Sequence, residues 1–194
     1  QALWLLGYPD RALQKSQEAL TWAQELAHPL SLVITLTLTA FFHQLRREGS
    51  LAQERAEALI TLSGEREFVF PLAGGIFLRG WGLAEQGQKE EGIAQMRQGQ
   101  DAFRVIRAKL GQSAYLAMLA EACGHVRQAE EGLTLLVEAL AIVQENGERY
   151  WEAELYRLKG ELTLQSKVES EKSKKKKQKS NGKSQRSKVR RLRH

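Results

Sequence analysis

Leu6-Gly7-Tyr8-Pro9-Asp10-Arg11-Ala12-Leu13 reads as a tight turn followed at once by a helix start. Gly7 stops one helix, and Pro9 suits the first turn of the next because the N–H it lacks needs no partner there. Asp10 complements the positive end of the helix dipole. The same grammar returns at 86–93 (QGQKEEGI) and at 126–133 (VRQAEEGL), with a weaker copy at 47–53. Ala12, Ala52, Gly92 and Gly132 stand forty residues apart, and so do Ala40, Gly80, Ala120 and Gly160. Two registers of small residues at one period are the mark of an internal repeat.

From that turn the chain divides into helices. One is expected from Pro9 to about Ala27, with His28-Pro29 ending it. Leu30 to Glu48 is locally ambiguous, because Ile34-Thr35-Leu36-Thr37-Leu38-Thr39 alternates at period two, as a strand does. The repeat frame decides for helix, since a lone strand would leave its backbone groups unpaired. Further helices are expected at 51–62, 68–86, 90–110, 113–126, 128–145 and 149–165. Gly64, Gly111 and Gly147 are placed as C-terminal caps. Glycines inside helices, such as Gly80, Gly92, Gly132 and Gly160, cost roughly 1 kcal/mol each relative to alanine. Close helix–helix approach is the expected offset.

Composition supports this division. The 194 residues are 42% hydrophobic with only three prolines, which suits a helical domain with a continuous core. The opening residues lack the form of a signal peptide, and no apolar run is long enough to span a bilayer. The single Cys123 excludes an internal disulfide and suits a reducing compartment. A cytoplasmic protein with no membrane partner is expected. Because the chain begins inside a repeat, more of the protein is expected before Gln1.

Charge is distributed unevenly. Residues 167–194 hold 13 Lys/Arg against 2 Asp/Glu, a net of +11, which leaves −5 for the rest of a chain whose total is +6. That segment has no aromatic residue and few large apolar ones, so it is expected to be disordered. Two regions follow: a repeat domain at 1–166 and a basic tail at 167–194. Within the tail Lys174, Lys175, Lys176, Lys177, Lys179, Lys188, Arg190, Arg191 and Arg193 make a polycationic string.

The paired small slots resemble those of the tetratricopeptide repeat, a family with two antiparallel helices per unit. The first-helix slot maps onto Ala40, Gly80, Ala120 and Gly160, and the second onto Ala12, Ala52, Gly92 and Gly132. The slots are twelve apart within a unit, as in Gly80 and Gly92. The turn glycine is Gly7 and Gly87, while Arg47 and Arg127 depart from it. The period is forty rather than about 34. The resemblance implies an all-α, right-handed superhelical solenoid of about four helix pairs. The wording of 1–165 (LGYPDRAL, AQERAEAL, LRGWGLAEQGQ, ERYWEAELYRLKGELTL) is also similar to the C-terminal repeat region of large bacterial signalling ATPases and adenylate-cyclase-type regulators.

No residue pattern for catalysis accompanies these repeats. The glycines at 74–75 and 80–82 lack the Lys-Ser/Thr of a phosphate loop. His28, His43, His125 and His194 have no metal spacing. Glu90-Glu91 and Glu130-Glu131 open helices, where carboxylates favour the dipole. The expectation is therefore no enzyme, no cofactor and no metal, but a scaffold or sensor module that binds a peptide or protein. The resemblance implies a concave groove lined by first helices. Its positions map onto Phe41, Trp81 and Glu121, then Thr37, Phe77, Ala117 and Arg157, then Gln44, Leu45, Glu85 and His125. Secondary expectations are self-association through exposed repeat ends, service as the regulatory part of a larger ATPase or cyclase, and weak nonspecific nucleic-acid binding through the tail.

Overall fold

A computed structural model describes residues 2–191, with side chains through Lys172. The described backbone is helical: α1 (Ala2–Leu5), α2 (Pro9–Leu26), α3 (Pro29–Leu45), α4 (Gly49–Glu65), α5 (Val69–Glu85), α6 (Lys89–Val105), α7 (Gln112–His125), α8 (Ala129–Asn146) and α9 (Glu152–Arg191). A single 3-10 turn (Arg149–Trp151) precedes α9. Consecutive helices pack antiparallel, each on the one before it.

The rhythm is set by backbone conformation as much as by side chains. Gly7, Ala27, Arg47, Glu67, Gly87, Arg107, Arg127 and Gly147 all have positive φ. They fall every twenty residues, so the forty-residue unit is two near-equal helix-plus-turn halves. In six of these turns the following N–H reaches back five residues, as in Glu48 N–H to His43 O (3.0 Å) and Gln88 N–H to Leu83 O (3.0 Å). That bond satisfies a carbonyl the helix end would otherwise leave free. The turn does not depend on glycine, which is why Arg47 and Arg127 fill the same role as Gly7 and Gly87.

The stretch at 30–39 is helical despite its strand-like alternation. Thr35 and Thr37 donate their hydroxyls to the carbonyls of Ser31 and Val33 (both 2.8 Å), and Thr39 to that of Leu36 (3.0 Å). The helix itself satisfies these polar groups, so alternation carries no cost there. Two expected caps move. Gly64 lies inside α4, which continues to Glu65, with the left-handed residue at Glu67. Gly111 caps the start of α7, and α6 already ends at Val105.

The small slots do hold helices close. A Cβ added to Gly80 would lie 2.6 Å from Gly92 O, and one added to Gly92 would lie 2.5 Å from Gly80 O. Gly132 faces Ala120 O at 2.9 Å in the same sense. Ala40 and Ala52 are fully buried. Gly160 departs from the pattern: nothing lies within 4 Å of its added Cβ, because no described helix packs on that side of α9.

The core runs through α5 to α8, where Phe77, Trp81, Phe103, Leu116 and Leu136 are buried. First helices also touch each other: α3 meets α5, α5 meets α7, and α7 meets α9, with no comparable contact among α2, α4, α6 and α8. The stack therefore curves with the odd-numbered helices inside. Curvature is strong enough for side chains of α3 and α7 to meet across α5, with the Phe41 and Tyr115 rings 5.3 Å apart.

The expected change of character at Lys167 does not end α9, which runs on to Arg191. Lys, Glu, Gln and Ser without proline tolerate the helix, and Gln165 donates to Glu169 one turn on (3.0 Å). The tail cations from Lys174 onward lie beyond the last described side chain. No described helix is long and apolar enough to cross a membrane.

Candidate peptide-docking groove

The inner face of the curve carries two adjoining cavities that share Leu45, Tyr150 and Trp151 as a common wall. One, of about 320 Å³, is apolar. Thr37, Leu38 and Phe41 enter it from α3, Phe70 from α5, Ala114 and Tyr115 from α7, and Leu110 from the α6–α7 loop. The other, of about 420 Å³, is bounded by Gln44 from the end of α3, Arg47 from the turn after it, Ala117, Met118 and Glu121 from α7, and Glu154 and Leu158 from α9.

Local interactions hold this wall in place. Tyr115 stands at the centre of an aromatic cluster, with ring centroids 4.6 Å from Phe103, 4.9 Å from Phe77 and 5.3 Å from Phe41. Burial alone raises the Tyr115 hydroxyl pKa well above its ordinary value of 10.0. Gly111 N–H donates to Glu148 Oε1 (3.4 Å), tying the α6–α7 loop to the turn before α9. Asn146 Oδ1 accepts from Glu148 N–H (2.9 Å), and Tyr150 and Trp151 pack edge to face. Two aromatic rings are thereby held over the groove by a short irregular segment.

The polar end is organised by two arginines. Arg47 leaves the α3–α4 turn to donate to Glu85 (3.4 Å) and to Glu121, so one guanidinium joins three first helices. Its pKa is raised above the ordinary value, first by the bond to Glu121, with the charges of Glu121, Glu85 and Glu154 adding to it against desolvation. Arg157 is held in the same direction by Glu154 and then Glu161. Two guanidiniums thus face four carboxylates.

Of the residues the sequence placed in the groove, Thr37, Phe41, Gln44, Leu45, Ala117 and Glu121 line it. Glu85 and Arg157 reach it through their ion pairs. His125 is exposed at the end of α7 and lines neither cavity. Phe77 and Trp81 do not belong to the surface at all, at 0% and 2% exposed. In α5, with neighbours on both sides, the positions that face inward are covered because α3 and α7 close over them. Sequence reasoning missed Arg47, Tyr150, Trp151 and Glu154. The Tyr150-Trp151 pair just after Asn146-Gly147 was the available signal, since two aromatics beside a turn break the repeat grammar.

No group of three His, Cys, Asp or Glu arranged to hold a metal occurs among the described residues. Cys123 is buried, and its thiol is pushed up to about 11, chiefly by burial. No family model matches the chain, and no curated protein matches it. The class is that defined by the fold: an all-helical protein of sequentially stacked antiparallel helices, consistent with a helical repeat.

Proposed function

We propose that this chain is a tetratricopeptide-like docking module whose inner groove holds a segment of a partner protein. One observation carries the reading. Leu38, Leu110 and Tyr150 are 51%, 69% and 54% exposed, come from three separate elements, and converge on one cavity. Exposed apolar side chains scattered singly are ordinary, but a concave cluster of them marks a contact site. Half-buried Phe41, Phe70 and Trp151 complete an aromatic floor of the kind that anchors partners at interfaces. Three of the walls are the helices α3, α5 and α7, and pre-formed walls of this kind lower the ordering cost of binding.

Selection of a random twelve-residue peptide library on the full chain tests this. Selected peptides are expected to lose affinity for Leu38→Asp and Tyr150→Ala. They should bind unchanged to Val137→Asp, an exposed position on α8 that lines neither cavity. Equal binding to all three variants, or no selected peptide, would overturn the reading.

A further inference from the structure

We infer that the segment held in the groove carries a cationic side chain, a lysine or arginine, beside a large apolar one. This rests on the docking reading above and names the chemistry of its partner. The polar cavity is richer in acceptors than in cations, with Gln44, Glu121 and Glu154 on its wall beside one guanidinium, that of Arg47. Gln44 is only 4% exposed and lines the cavity, and its Oε1 meets no hydrogen-bond donor among the described residues. A buried acceptor without a donor costs free energy that an incoming N–H removes. Glu121 and Glu154 stand on the same cavity.

Charge points the same way. On the cavity wall itself the carboxylates of Glu121 and Glu154 stand against the single guanidinium of Arg47, an excess of one negative charge. A cation entering between Glu121 and Glu154 corrects that surplus, whereas an anion meets an acidic wall. Trp151 and Tyr150 add faces on which a guanidinium or ammonium is attracted to the ring. Those same two rings wall the apolar cavity, where Leu38, Phe41 and Leu110 offer no charge. The ligand is therefore bipartite: a donor-rich cation at the α7–α9 end and an aliphatic or aromatic side chain next to it.

The same peptide library separates this inference from the reading it rests on. Peptides selected on the full chain are expected to be enriched in Lys or Arg adjacent to Leu, Phe or Trp. By fluorescence anisotropy, replacing that cation with Gln weakens binding about tenfold or more. On the Glu121→Gln/Glu154→Gln double variant the Lys/Arg and Gln peptides are expected to bind alike, while the apolar side chain remains required. Helical circular dichroism of the double variant confirms that it folds, and single Glu154→Gln serves if it does not. Selected peptides that are apolar without a cation, yet depend on Leu38 and Tyr150, would overturn the cation inference and leave the docking reading intact. Acidic peptides that bind both forms equally would mark capture by the basic tail and overturn both, as would the absence of any selected peptide.

Discussion

Gly80 and Gly160 occupy the same repeat position two periods apart, and the same substitution is predicted to move stability in opposite directions. At Gly80 a new Cβ lies 2.6 Å from Gly92 O, 2.8 Å from Met96 N and 2.8 Å from Gln95 Cβ. Two of these are backbone atoms that no rotamer change can move. Restoring ordinary contact requires α5 and α6 to separate by about 1 Å in a close-packed core. Overpacking of this kind costs about 3 kcal/mol, at the upper end of its range, against about 1 kcal/mol gained in helix propensity. Gly80→Ala should therefore lose about 2 kcal/mol, or about 4–8 °C in melting temperature for a chain of this size. Gly160→Ala meets nothing within 4 Å and keeps the propensity gain of about 0.5–1 kcal/mol, a rise of about 1–4 °C. Thermal melts of the full chain, followed by helical circular dichroism, measure both. Shifts of the same sign would refute the claim that the slot is filled in the middle of the stack and open on α9.

The turns yield a second contrast. Glu67 is exposed at φ +57°, so Glu67→Gly should relieve left-handed strain and stabilise by up to about 1 kcal/mol, while Gly87→Ala at φ +94° should cost about 1 kcal/mol or more; chemical denaturation midpoints decide. Glu48 is held below its ordinary pKa of 4.5, first by its hydrogen bond from Arg46 and then by that from His43. A depressed carboxylate contributes stability that is present above its unfolded value and lost as pH falls through the folded one. Glu48→Gln should therefore flatten the loss of melting temperature between about pH 5 and pH 3, and an unchanged slope would remove Glu48 as a cause. Cys123, buried with its thiol near 11, should react with a thiol reagent at neutral pH only after denaturant unfolds α7, and rapid labelling of the folded chain would contradict its burial.

Helix number, order and the forty-residue period were legible in the sequence because they rest on local chemistry. Proline at helix starts, paired small residues and acidic first turns act within a few residues of where they stand. The registers of Gly80 with Gly92 and Ala120 with Gly132 needed only helical spacing to read. About a third of the groove lining followed from the same frame, since Thr37, Phe41, Gln44, Leu45, Ala117 and Glu121 are repeat positions on first helices.

The tightness of the curvature was not legible. It is the sum of many small packing choices between α4, α5 and α6, and it brings Phe41 against Tyr115 across an intervening helix. That closure buries Phe77 and Trp81, which a straighter stack would present to solvent. It also joins Arg47 to Glu121 and leaves Tyr150 and Trp151, outside the repeat grammar, as the wall between two cavities. The sequence by itself determined which segments are helices and, Gly160 apart, where they approach closely, because backbone hydrogen bonding and steric size are local properties. Only the tertiary structure decided which aromatic residues face the groove and which carboxylates share it, because those depend on contacts between residues as far apart as Arg47 and Glu121.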